Sequence, residues 1–302
     1  MPSAPLTCLI MHHLLLRRLR RLTSVFMAGS LALLASCDQV DYRKALQNPT
    51  PTDTTKPDTT ANLPTITPVR KVLLYDFTGH TCGNCPNGHD QAKALQDQFD
   101  ARFGVMSIHC GGFAVPFPPR PDSAYGLDLR TPAGDALDDF YRASAAGLPR
   151  GVLNGKATTM SPVASWANIT QQELQRPSTT GLTMSYAPGR VQVNLTQTTP
   201  LAAPLTLTLY RMQDSIRGWQ KDYRRSSNQQ NIRNYFHRHV LRESMAQVPA
   251  FVPAEFAGNR QRIFNLSLPT SNKPWLHELL AVVADPATGE VYQWAIVRST
   301  AQ

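Results

Sequence analysis

Cysteine is scarce in this chain, with five in 302 residues, at positions 8, 37, 82, 85 and 110. So few thiols exclude a disulfide-stapled scaffold for a protein this long, which leaves the close pair Cys82 and Cys85 with some other purpose. No second Cys-x-x-Cys accompanies that pair, and Pro86 rather than histidine follows it, so covalent haem attachment is excluded. Long hydrophobic runs are also missing: the stretch from Val25 to Ala35 is far short of the ~20 residues that span a bilayer as a helix. Strong charge is missing once the first 37 residues are set aside. They hold Arg17, Arg18, Arg20 and Arg21 and no acidic residue, and without those four arginines 26 basic residues face 21 acidic ones. An excess of that size is diffuse, so no nucleic-acid partner is expected. No repeat of fixed period is visible.

What is present begins with an export signal. The basic residues at 17 to 21 precede the short apolar run, which ends in Leu34-Ala35-Ser36-Cys37. That ending resembles the bacterial lipobox, in which the cysteine is acylated and becomes the new N-terminus; the alternative is an ordinary signal peptide with a chance cysteine. Residues 1–37 are therefore expected to be a lipoprotein signal peptide, with Cys37 lipidated and the chain held to a membrane by acyl groups worth ~0.8 kcal/mol per buried methylene. From Asn48 to Pro68 the chain carries eight threonines and five prolines in 21 residues, so 38–69 is read as an extended linker.

Folding signals start at Arg70. Val72 to Phe77 is a strand-type run, and it leads through Thr78-Gly79-His80-Thr81 into Cys82-Gly83-Asn84-Cys85. Ala92, Leu95, Phe99 and Phe103 recur at helical spacing, Gly104 is the expected stop, and Val105 to His109 reads as a second strand. Residues 110–130, rich in proline and glycine, are read as an inserted loop. Thr131-Pro132 predicts a helix N-cap, Gly147 its C-cap, and Asn154-Gly155 a hairpin turn after a short strand. A helix opening at Ser161-Pro162 and carrying Trp166 completes an α/β segment, 70–178. From 179 to 302 the apolar period becomes two, as in Leu182, Met184 and Tyr186 or Leu205, Leu207 and Leu209, and about seven short strands predict an all-β sandwich of the immunoglobulin or fibronectin type. The stretch from Trp219 to Arg242 is read as a solvated strand and hairpin loop.

The Cys pair admits two chemistries. Zinc needs two further ligands, and His80, His89, His109 and Cys110 are near enough in sequence to serve, yet no second ligand pair stands at the usual spacing. No metal and no cofactor are expected. A redox role follows from placing Cys82 at a helix start, where unpaired backbone N–H groups and the helix dipole favour the thiolate. Cys82 is then the nucleophile, Cys85 one turn on is the resolving thiol, and Cys110 is a buried apolar filler.

Asp76-Phe77 and Cys82-x-x-Cys85 resemble the active-site region of thioredoxin, and Leu148-Pro149 before a strand resembles that fold's cis-proline. The resemblance implies that Asp76 shuttles a proton to Cys85 and that Pro149 shapes the substrate site. The lipobox, the run Asp76 to Pro86 and the segment Tyr235 to Arg242 together resemble the twenty-eight-kilodalton outer-membrane-protein family of Bacteroidetes lipoproteins. That implies an α/β thioredoxin-like domain followed by an all-β immunoglobulin-like sandwich, in an outer-membrane lipoprotein on the periplasmic or surface face. The expected activity is thiol-disulfide exchange with the thiols or disulfides of exported proteins. The alternative is a binding lipoprotein whose sandwich holds a partner and whose Cys pair is a structural disulfide.

Overall fold

The computed structural model describes residues 66–117, 124–253, 260–268 and 277–299. Residues 1–65 lie outside them, so the expected signal peptide, the lipidation at Cys37 and most of the expected linker fall outside the described residues.

The first strand, β1 (Val72–Thr78), runs parallel to β2 (Phe103–His109) and antiparallel to β3 (Arg150–Leu153). Between β1 and β2 lies α1 (Cys85–Phe99); α2 (Pro132–Tyr141) precedes β3, and α3 (Trp166–Leu174) follows it. Because side chains alternate along a strand, one face of these strands presents Val72, Leu74, Phe103 and Val105, which pack with Ala92 and Leu95 of α1 and with Trp166 of α3. Further along that same face the pattern turns polar: Asp76, Thr78, Ser107 and His109, all buried. The opposite face buries Leu73, Tyr75, Phe77, Met106 and Ile108 against Leu137 and Tyr141 of α2.

Strands β4 (Thr180–Ala187), β5 (Arg190–Gln197) and β10 (Arg260–Ser267) form a three-stranded antiparallel sheet. Its apolar face, with Leu182, Val191, Val193 and Leu195, packs on β6 (Leu205–Gln213), β9 (Val240–Phe251), β11 (His277–Ala284) and β12 (Val291–Ser299) through Leu207, Leu209, Val248 and Val283. These four strands are part of the same sheet as β1 to β3, in the order β12-β11-β6-β9-β2-β1-β3. The join is narrow: β9 meets β2 in parallel at Ser107 and Val240, where the Ser107 amide donates to the His239 carbonyl at 2.9 Å. Side chains reinforce it, since Tyr210, Met212, Leu241, Leu280 and Trp294 share one apolar cluster with Leu73, Tyr75 and Ile108. The last two strands, β7 (Ile216–Lys221) and β8 (Asn231–His237), form a separate hairpin. The protein is thus mixed α/β, with one large mixed sheet, two smaller antiparallel sheets and three α-helices among the described residues.

Local expectations met mixed outcomes. Thr131 caps α2 by accepting from the Gly134 amide at 3.0 Å, with Pro132 as the first helical residue. Asn154 and Gly155 both take positive φ, 50° and 64°, as a tight turn requires, but no second hairpin strand follows: β3 pairs with β1, and the chain passes into a short 3-10 turn, Ala157–Thr159. Phe103 is not on the helix: α1 stops at Phe99, Asp100 takes φ 45°, and Phe103 opens β2. Gly104 lies inside that strand, where a side chain would collide with the Trp294 ring at 2.8 Å. The helix α2 ends at Arg142 in the left-handed region, five residues before Gly147. Beyond residue 179 there are nine strands among the described residues, two of them the hairpin.

A buried carboxylate ties the N-terminal edge together. Glu173 on α3 pairs with Arg70, with Lys156 at 2.9 Å and with Arg176 at 3.2 Å, and accepts from Asn154 at 3.2 Å. Burial works against its charge, but the hydrogen bonds from Lys156, Asn154 and Arg70 prevail and lower its pKa to about 2. Its contribution to stability is therefore present above the unfolded value of about 4.3 and is lost as pH falls towards 2. Glu173→Gln should lower the melting temperature by several degrees at pH 7, with the deficit shrinking near pH 3; equal melting temperatures at pH 7 would show that the hub is dispensable.

Candidate functional site

The turn after β1 ends in a disulfide between Cys82 and Cys85, with Cα atoms 5.4 Å apart and Cys85 as the first residue of α1. The Cys82 amide donates back to the Gly79 carbonyl at 3.0 Å, and the Cys85 amide to the Cys82 carbonyl at 3.2 Å, which winds the pair tightly. Asn84 makes no side-chain cap; the Asn87 amide instead donates to the Asn84 carbonyl at 3.1 Å, so backbone carbonyls of the turn itself take up the first donors of the helix. Pro86 sits in the first turn, where no amide hydrogen is needed.

Of the other expected residues, Pro149 follows a cis peptide bond at the start of β3 and lies 3.3 Å from where a side chain on Gly88 would begin, so it packs beside the second turn of α1. Asp76 is 1% exposed on β1. Neither of its carboxylate oxygens has a hydrogen-bond partner, and burial raises its pKa to about 7. Cys110 is fully buried in the core, where burial first and Asp138 second push its thiol pKa well up.

No local pattern along the chain marks what covers the pair. The hairpin β7–β8, expected to be solvated, lies against the Cys82 turn. Lys221 donates its amide to the His80 carbonyl at 2.8 Å, Tyr223 donates its own to the Gly83 carbonyl at 2.8 Å, and the Gln220 side chain donates to the carbonyls of Cys82 at 3.0 Å and Gly79 at 3.3 Å. The Tyr223 ring rests on Gly83 so closely that a β-carbon there would lie 2.4 Å from it. Arg224 beyond it reaches Asp90 on α1 at 2.5 Å. The inserted loop closes a second side, with Thr81 donating its amide to the Phe113 carbonyl at 3.0 Å and Tyr125 stacking on His80. As a result Cys82 is 3% exposed and Cys85 is not exposed at all.

Beneath this cover lies a polar cavity of about 600 Å³ whose walls include Asp76, His89, His109, Tyr235 and His237. His89 is hydrogen-bonded to Tyr235 at 2.5 Å and to Thr78 at 2.9 Å, with Asp76 3.7 Å away. Burial lowers the His89 pKa to about 4, so near pH 7 this contact joins a neutral imidazole to a partly protonated acid and is no full ion pair. Burial likewise lowers His237 to about 3 and drives His109 well down. Asp214, His239 and Glu278, at the far wall, place ligand atoms within 4.8 Å of one another. Both carboxylates already have partners: Glu278 is hydrogen-bonded to His239 at 2.7 Å and paired with Arg298 at 3.2 Å, and Asp214 is paired with Arg238 at 3.5 Å.

No family model matches the chain, and no curated protein does. Solved structures do. A structural-genomics protein of Agrobacterium tumefaciens is 12% identical, with a TM-score of 0.50 over 76% of this chain and 94% of that one. HBP35 of Porphyromonas gingivalis is 13% identical, with a TM-score of 0.47 over 77% of this chain and 76% of that one. A domain of the outer membrane lipoprotein Omp28 from the same organism is 12% identical, with a TM-score of 0.23 over 40% of this chain and 88% of that domain. At such identities the likeness concerns fold, and the first of the three carries it, over 76% of this chain.

Proposed function

We propose that this chain is a lipid-anchored envelope protein that performs thiol-disulfide exchange on exported proteins, built from a thioredoxin-like segment, 70–178, and an immunoglobulin-like sandwich, 179–302. The observation that carries the reading is the bonded pair at the start of α1, with Pro149 packed beside that helix and a buried carboxyl, Asp76, on the preceding strand. The lipobox at Leu34 to Cys37 supports the outer-membrane placement.

In the direction that oxidises a substrate, a substrate thiolate attacks Cys82 Sγ. The Cys82–Cys85 bond breaks, and Cys85 leaves as a thiolate and takes a proton. A second substrate thiolate then attacks the substrate sulfur of the mixed disulfide and expels Cys82. The reverse sequence reduces a substrate disulfide: Cys82 attacks, and Cys85 resolves the mixed disulfide. Asp76, with its pKa raised to about 7, gives and takes protons most evenly near neutral pH, which supports its reading as the proton donor and acceptor for Cys85.

The cover over Cys82 favours a second reading, a binding lipoprotein whose disulfide is static. Two measurements separate them. With exchange, the oxidised protein equilibrates with a glutathione buffer while folded, and Cys85→Ser accumulates mixed disulfides at Cys82 that diagonal gels resolve. With a static bond, reduction waits for global unfolding and the variant traps nothing.

A further inference from the structure

Three histidines stand apart from the exchange chemistry. His80 precedes the Cys pair by two residues, His109 ends β2, and His237 ends β8. Each is 2% exposed. Both ring nitrogens of His80, both of His109 and Nδ1 of His237 lack hydrogen-bond partners. A buried polar atom without a partner costs about 1–3 kcal/mol, so five on these three rings call for a partner that the chain's own side chains do not supply.

The chemistry of the cluster narrows what that is. Burial lowers the basicity of all three rings, and neighbouring histidines lower His109 and His237 further, so each ring favours the neutral form that keeps a lone pair for a metal. His237 Nε2 donates to the Trp219 carbonyl at 3.3 Å, which assigns its proton to that nitrogen and leaves Nδ1 as the ligand atom. The Val115 carbonyl lies near one His80 nitrogen without completing a hydrogen bond, and it is placed to do the same there. Two imidazoles on one tetrahedral zinc, with Zn–N bonds of about 2.0–2.1 Å, hold their ring centroids about 5 Å apart. His109 and His237 stand at 5.2 Å. A cavity of about 220 Å³ reaches His80 and His237 from one side, and the larger polar cavity reaches His109 and His237 from the other, so an ion has a route in.

We propose that His80, His109 and His237 form a binding site for a late first-row divalent cation of the zinc class, completed by rotation of the His80 ring. Imidazole nitrogens select zinc, copper and nickel over magnesium and calcium, which take oxygen ligands. The site bridges three elements, the Cys82 turn, β2 and the hairpin, so the cation pins the cover to the sheet.

The test is calorimetric titration of the full chain, disulfide intact, with zinc alone at pH 7.5. One zinc should bind per chain, and His109→Gln and His237→Gln should each weaken it roughly tenfold or more. His239→Gln, which alters the neighbouring carboxylate cluster, should leave affinity unchanged. Should a variant fail to fold, ring-nitrogen NMR of the unaltered chain decides: zinc should shift the signals of all three histidines. The proposal is overturned if zinc leaves those signals in place, if affinity survives both substitutions, or if His239→Gln abolishes binding; the orphaned nitrogens then belong to buried water. Because no cysteine takes part, this outcome is independent of whether Cys82 exchanges disulfides.

Discussion

Tyr223→Ala should speed the reduction of the Cys82–Cys85 bond by dithiothreitol roughly tenfold, equivalent to about 1.4 kcal/mol, with little change in melting temperature. Attack on a disulfide needs an open line to one sulfur, and Cys82 at 3% exposure offers none while the hairpin is seated. The Tyr223 ring is half exposed, so its removal strips little from any core, but it is the group resting on Gly83 next to the outer sulfur. The two backbone bonds from Lys221 and Tyr223 remain, so the hairpin stays attached and the change isolates the ring. Gly83→Ala addresses the same contact from below, since its β-carbon would lie 2.4 Å from the ring and force it away. The double variant should be less than the sum of the two, because each change removes the same contact. Equal reduction rates for Tyr223→Ala and the unaltered protein would show that the ring does not control access.

Asp76→Asn should stabilise the protein at pH 8 and lose that advantage in acid. Folding raises the carboxyl pKa from about 3.9 to about 7, so the folded state holds a proton that the unfolded chain has released. The contribution of this group is therefore fully favourable below about pH 4 and declines as pH rises through 7, by about 1.4 kcal/mol per pH unit at most. Asparagine resembles the neutral acid in shape and cannot ionise, so it escapes the decline. Denaturant unfolding of both proteins from pH 4 to pH 8 measures the difference, and parallel stability profiles would place the Asp76 pKa near its ordinary value. If the exchange reading holds, the same variant should also flatten the pH dependence of disulfide reduction around neutrality.

Local signals in the sequence identified β1, the Cys pair at a helix start, the cap at Thr131, the turn at Asn154 and the period-two strands, because each depends on residues a few positions apart. The missed features depend on distant ones. Phe103 continues the helical spacing of Ala92, Leu95 and Phe99 as well as it opens β2, and only the positive φ of Asp100, a residue with no special sequence mark there, decides between them. The seating of the hairpin rests on backbone carbonyls at His80 and Gly83, which carry no side-chain signature. His237 is 128 positions from His109, and nothing in composition links them. The polar half of the inner sheet face was visible in retrospect, since Asp76, Thr78, Ser107 and His109 interrupt two apolar strands at alternate positions. Three of those four, Asp76, Ser107 and His109, line the larger cavity.

The place of β9 between β6 and β2 has a consequence for how the molecule comes into being. A ribosome releases the chain from its N-terminus, so β1, β2 and α1 emerge more than a hundred residues before Val240. Throughout that interval β2 presents a bare flank of amide and carbonyl groups, the kind of margin on which strands of other molecules assemble. The half-made chain is then the form most open to such pairing, and strand β9, arriving late, narrows the hazard by covering that flank at Ser107.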